Sequence, residues 1–387
     1  MMIKLFSKTQ LCLFALTLLF SYTQNAQQKN IEVTGVILDE NNITIPYVAV
    51  GIVAKSIGSS STEDGEFSLK ISANELQDTL SVSSLGFDTY KIRVEEFLAL
   101  KEKKIILKEN VVSMDDVQLL KPSEYVFNAI KNLKNNTLSS YHQLQLLYRR
   151  AATEGGKSKF FVENFIKIKD RGPKYSLGRV QVTEARKSAD YRIWKRTQWT
   201  HSINYMASGN PLRPSDKKPN LKKYTWKKTG DTSYEGEDVL IIKGTLKHDY
   251  IIFYIGLDDY KIYKIERPRT IYTYTKHKSG KLHLSYYSKE WGFGRNMIPK
   301  QYWNTEAEKM TYRLEGFVLN VVTNKSNIAV RDFGGTSDMG TLKLPYHPEF
   351  WSNLSMPPDT KFFKKIKSEL EGLYGVPLET QFKLVNK

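Results

Sequence analysis

The sequence predicts a mainly β protein: an N-terminal β-sandwich followed by a larger antiparallel, half-barrel-like α+β domain with two main helices. Three observations predict it. Between Ile31 and Glu109, short runs rich in β-branched and aromatic residues recur between turn-forming clusters, the mark of an all-β sandwich. Between Asp238 and Phe317 such runs continue, separated by brief Gly/Asp turns. Apolar residues at helical spacing occur only near 123–135 and 359–371. A chain of 387 residues has room for two or three domains of about 100–200 residues.

The N-terminus reads as an export signal over 1–26. Lys4 and Lys8 precede the apolar run Leu11 to Phe20, and Ser21 to Gln27 is polar. A core of ten residues falls far short of the roughly 20 that a membrane-spanning helix needs. Cleavage after Ala26 removes Cys12, the only cysteine, so thiol catalysis and disulfides are both excluded from the mature chain. No later segment approaches about 18 consecutive apolar residues.

Strands are expected at 31–38, 47–55, 66–71, 79–84, 90–94 and 104–108. Asp39 to Asn42 and Asp64-Gly65 supply the turns, through side chains that bond their own backbone and a glycine that accepts positive φ. The blocks Gly35-Val36-Ile37-Leu38-Asp39, Pro46 with Val48-Ala49-Val50, Thr62-Glu63-Asp64-Gly65-Glu66-Phe67 and Leu85-Gly86-Phe87 resemble the carboxypeptidase-regulatory-like domain. That resemblance implies a transthyretin-like β-sandwich over 31–110, a module widespread in Bacteroidetes envelope proteins, accessory to peptidases and without catalytic residues of its own. The region carries 8 basic and 13 acidic residues.

Residues 111–121 read as a tether, and 122–387 as the second domain. Pro122 opens a helix, with Ser123 as cap and Val126, Phe127, Ile130 and Leu133 on one face. Asp359 is expected to cap the second helix, whose apolar side holds Phe362, Phe363, Ile366 and Leu370. Strands are expected at 238–243, 249–255, 259–266, 270–276, 281–288 and 311–317. A long meander with two helices suggests a curved sheet whose concave side is plugged by one or both of them. Tyr148-Arg149-Arg150, Arg186-Lys187-Ser188, Tyr234 to Ile242, Asp258 to Ile262 and Phe350-Trp351 resemble the region that follows the regulatory-like module in a family of Bacteroidetes envelope proteins. The strands around Val239–Ile242 and Tyr260–Glu266 are also similar in pattern to lipoprotein-carrier half-barrels, which hold acyl chains against a curved sheet.

Motifs for chemistry are missing. The six histidines, His142, His201, His248, His277, His283 and His347, form no HExxH, and there is no GxSxG, GxxxxGK[ST] or GxGxxG. His277 and His283 flank a hairpin and face each other without a third ligand. Trp291 to Gly294 reads as a bulge or turn. The sequence therefore assigns no catalytic residue, no cofactor and no metal.

What stands out is basic and aromatic. Trp194 to Lys228 holds nine Lys or Arg against Asp216 alone, and reads as a long loop with aromatic anchors. Lys217, Lys218, Lys222, Lys223, Lys227 and Lys228, with Trp199 and Trp226, are the candidate site for an anionic surface such as lipid headgroups or lipopolysaccharide phosphates. Nucleic acid has the same electrostatics but is seldom met by an exported protein. The expectation is a non-enzymatic envelope protein, periplasmic or outer-membrane-associated, that binds a hydrophobic or anionic component. The alternative is a structural adaptor whose sandwich docks an outer-membrane partner through its edge strands. A carrier predicts an apolar concavity; an adaptor predicts a filled one.

Overall fold

The computed structural model describes residues 30–110, 120–195, 201–215, 218–331 and 338–385. The expected export signal, most of the tether, Trp199 and Lys217 lie outside them. In the first part run β1 (Ile31–Asp39), β2 (Ala49–Ile52), β3 (Ile57–Ser60), β4 (Glu66–Ile71), β5 (Thr79–Ser83), β6 (Tyr90–Arg93), helix α1 (Val94–Ala99) and β7 (Lys104–Leu107). Strands β4-β1-β7 form one sheet; β3-β2-β5-β6 form the other layer. Val33, Ile37, Phe67, Leu69 and Ile105 face Val50, Ile52, Leu80 and Val82, with Phe97 of α1 closing the core. Side chains of the two inner faces meet in this core, as a sandwich demands, and β7 shows the alternation cleanly. The Asp39 carboxylate accepts from the backbone N–H of Asn41 (2.9 Å) and Ile43 (2.7 Å), and Gly65 has φ +74°. The stretch expected as a single strand, 47–55, instead ends at Ile52. It reverses through a turn closed by Ser56 at φ +57°, so that 57–60 returns as β3.

The second part contains α2 (Pro122–Asn136), β8 (His142–Glu154), β9 (Lys157–Asp170), β10 (Arg179–Lys187), α3 (Asn204–Ser208), β11 (Thr225–Tyr234), β12 (Glu237–Leu246), β13 (Asp249–Gly256), β14 (Ile262–Arg267), β15 (Thr270–Lys276), β16 (Leu282–Gly292), β17 (Met310–Val322), α4 (Pro348–Asn353), α5 (Lys361–Gly372) and α6 (Leu378–Val385). Strands β11 to β17 are antiparallel neighbours in chain order, and β8, β9 and β10 continue from β17. The sheet curls into the expected half-barrel.

Its concave side is filled. Tyr125, Val126, Ala129 and Leu133 of α2, together with Ile203, Met206, Leu212, Leu221 and Tyr224, share one buried cluster with Leu146, Tyr148, Ile166, Ile242, Phe253, Ile265 and Tyr287 of the strands. Helix α5 is no part of the plug. Phe363, Ile366 and Leu370 pack on Ala151 and Phe161, on the outer face. Two caps also differ from expectation. Glu124 reaches back to the Lys121 N–H (3.1 Å) with Pro122 in the first turn, so Ser123 is inside α2. Thr360, not Asp359, caps α5 through the Phe363 N–H (3.2 Å); Asp359 is engaged by Lys367 (2.7 Å) and Arg149 (3.3 Å) instead.

Strand β17 joins the two parts. One edge pairs with β8 along its length; the other pairs with β16 from Thr311 to Phe317, and beyond that Asn320 pairs with Ile57 of β3. Tyr47 stacks on Tyr286 at 4.4 Å. The Gly86 N–H donates to Ser233 O (2.8 Å), and Arg313 holds Glu63 at 2.5 Å. No helix among the described residues is long and apolar enough to cross a membrane.

A candidate anion-binding rim

Antiparallel connectivity sorts the connections of the half-barrel onto two rims. One rim carries the turns after β11, β13 and β15, at Glu235-Gly236, 257–261 and 277–281. The sandwich sits on this rim through Gly86–Ser233 and the weak Ser83–Tyr234 hydroxyl contact (3.4 Å). A cleft of about 1060 Å³ separates Thr79, Ser81 and Lys91 from Glu235, His277 and Lys278 there. The other rim carries the entry into β11, the turns after β12, β14 and β8, and the excursion between β16 and β17. Each of these five places presents an exposed cation: Lys222 and Lys223, Lys247, Arg269, Lys157, and Arg295 with Lys300.

Of the predicted site residues that the structure describes, Lys222, Lys223, Trp226 and Lys227 fall at one end of this second rim. Lys222 and Lys223 are exposed on a single tight turn, capped by the Asn220 side-chain Oδ1 accepting from the Lys222 N–H (3.1 Å). The indole of Trp226 holds that turn from below: its Nε1 donates to Leu221 O at 3.2 Å, and its ring lies over Gly244, where any Cβ would collide with it. Trp226 is therefore a support for the cations, not the exposed anchor the sequence suggested. The expected long loop is also corrected. Residues 225–234 are β11, the terminal strand of the sheet, and Lys227 and Lys228 alternate across it. Lys227 is exposed and stands directly opposite Lys243 of β12. Like charges facing across a strand pair repel, and here Lys227 and Lys243 are such a pair. Lys228 is paired with Asp231 at 2.7 Å, and the exposed Lys218 donates to Leu212 O (3.2 Å).

Tyr224, Asp249 and Arg267 form a bonded group beneath the Lys222 turn. Burial, then the hydrogen bond to Asp249 (2.5 Å), pushes the Tyr224 phenol up to about 12, and Arg267 completes the contact at 3.0 Å. His277 and His283 meet edge to face with ring centres 6.4 Å apart. Burial lowers both, His283 to about 4, so these rings are neutral at pH 7. No group of three or more His, Cys, Asp or Glu among the described residues is arranged to hold a metal.

One feature of this rim went unnoticed in the sequence. The chain leaves β16 at Gly292 and does not re-enter the sheet until Met310, and this excursion carries Phe293, Met297, Tyr302 and Trp303. Arg295 lies over the Trp303 ring at 4.5 Å, while Trp194 packs on Phe293 (5.6 Å) and Tyr302 (6.0 Å). The glycines of 291–294 drew attention to a turn, and the aromatic and basic composition of the whole stretch was the available signal.

Comparison with known proteins adds the following. No curated protein matches the chain. A crystal structure of a LolA superfamily protein from Nitrosomonas europaea aligns at 11% identity over 54% of this chain and 94% of that one, with a TM-score of 0.22, a superposition too slight to bear on fold or ligand. Residues 33–119 match the model of the CarboxypepD_reg-like domain, a non-catalytic domain family. The N-terminal sandwich is a carboxypeptidase-regulatory-like domain.

Proposed function

We propose that this chain is an exported, non-enzymatic envelope protein that binds an anionic envelope component, lipid or lipopolysaccharide, on its outside rather than within its sheet. The carrying observation is the cationic rim: among the described residues, each connection on the rim opposite the Gly86–Ser233 contact bears an exposed Lys or Arg. The filled concavity argues against an acyl chain held inside. It also agrees with the adaptor reading, for which β6 is the terminal strand of the sheet on the sandwich side; that reading predicts a co-purifying protein and no response to lipid charge.

Co-sedimentation with vesicles of phosphatidylglycerol and phosphatidylcholine tests the rim. Binding should weaken with salt, because exposed charges are screened over about 10 Å at 0.1 M. Each cation contributes about 1 kcal/mol near an anionic surface, so replacing Lys222, Lys223 and Lys227 together by Gln should weaken binding by up to about a hundredfold. Binding that responds neither to salt nor to the substitutions refutes the proposal.

A further inference from the structure

We infer that the excursion between β16 and β17 is a membrane-inserting loop that seats the cationic rim on an anionic phospholipid bilayer. This rests on the reading above and names the contact that electrostatics alone does not supply. Met297, between Arg295 and Lys300 in the excursion, is 55% exposed. Ile193, 42% exposed, is remote in sequence but directly precedes Trp194, which packs on Phe293 and Tyr302. An exposed apolar residue flanked in sequence by Arg295 and Lys300, with Tyr302 and Trp303 partly exposed in the same excursion, combines the residue types favoured by the phosphates, the aromatic-rich interface and the hydrocarbon of a bilayer.

The backbone is prepared for that transfer. An unsatisfied N–H or C=O in hydrocarbon is costly, and here four backbone N–H groups of the excursion bond within it. The Met297 N–H donates to Gly294 O (2.8 Å), Ile298 N–H to Arg295 O (3.2 Å), Tyr302 N–H to Pro299 O (2.9 Å) and Trp303 N–H to Lys300 O (3.1 Å). The Trp303 indole N–H donates to Ile298 O (3.0 Å), and Ile298 is buried. The acids stand at the base and are neutralised: Glu308 by Arg295 (2.9 Å), Glu306 by Lys157 (2.5 Å) and Lys159 (2.8 Å). Arg295 is already paired with Glu308, but Met297 and Lys300 are exposed beside it, and a bilayer with negative headgroups complements both of these side chains.

Full-length mature protein is mixed with vesicles of equal parts phosphatidylglycerol and phosphatidylcholine, with acyl chains either plain or brominated. Met297→Asp should weaken binding at least tenfold with an unchanged melting temperature, Met297→Leu should bind as the parent does, and brominated chains should quench the part of the tryptophan emission that Trp303→Phe removes. If the lysine variant loses binding while Met297→Asp binds normally and bromine quenches nothing, insertion is wrong and rim binding stands. If the parent protein does not bind these vesicles, both fall. If it dimerises in lipid-free buffer and Met297→Asp does not, the excursion is an interface between copies and the inference is wrong.

Discussion

On the outer face of the half-barrel, four residues face one another in register across β10, β9, β8 and β17: Arg186, Glu163, Arg149 and Glu315. Glu163, Arg149 and Glu315 are each no more than 1% exposed. Alternating signs make this row tolerable in a place where an unpaired charge is strongly destabilising. Burial works to raise the Glu163 carboxyl, but Arg186 (2.5 Å), Lys367 and Arg149 outweigh it and hold the group at about 2. Against an unfolded value near 4.3, that depression contributes on the order of 3 kcal/mol. The contribution is complete above about pH 5 and lost as pH falls toward 2. Glu315 titrates in the opposite sense, since burial raises its carboxyl more than Arg313 and Arg149 lower it. Denaturant titrations at several pH values should therefore show Glu163→Gln less stable than the parent at pH 7 by about 3–5 kcal/mol, with the gap narrowing steadily below pH 5. A gap independent of pH refutes this account. The sequence displayed Tyr148-Arg149-Arg150 and Arg186 as part of a pattern, but their pairing depends on register, which no spacing along one strand reveals.

At the scale of elements, the strands that were legible are those in which apolar and polar residues alternate or apolar runs end in Gly/Asp turns, namely β12 to β17. Strands β8 and β9 were hidden because both of their faces are covered, so alternation disappears and charged residues occur at core positions: they carry Arg149, Arg150, Glu163 and Asn164, all buried. Strand β11 was hidden for a different reason. It is a terminal strand, and Lys227 and Lys228 made it read as a loop. Charged side chains on such strands discourage pairing with other molecules. Lys227→Val should leave the monomer folded yet produce concentration-dependent association, detectable by analytical ultracentrifugation in lipid-free buffer; a strictly monomeric variant would show that the lysine has no such protective part. Helix α2 was legible from its spacing, and its role as plug followed from the curvature of the sheet. Helix α5 has an equally clear apolar stripe, and its position on the outer face was beyond what one helix can disclose.

For the molecule as a whole, the sandwich and the half-barrel share β17, the Tyr47–Tyr286 stack and the Glu63–Arg313 pair, and should unfold together. All six tryptophans lie beyond residue 193, so their fluorescence reports the half-barrel while far-ultraviolet circular dichroism reports both layers. The two melting curves should coincide. Glu63→Gln should move both midpoints down together, by roughly 2–4 °C for each 1 kcal/mol lost; separated transitions would refute a shared unit. The candidate cations were legible in part, since a run of lysines is plain to read. The rim that unites them with Lys247, Arg269 and the excursion was not, because residues about 80 positions apart become neighbours only through antiparallel reversal. The shared strand also orders events in time. Ile57 leaves the ribosome about 260 residues before Asn320, its partner, and such distant contacts are slow to form. Until β17 arrives, β3 is an open sheet edge of the kind that recruits other chains. A chain cut short anywhere before residue 310 would keep that edge open, so the first module to be made signals whether the last strand has been.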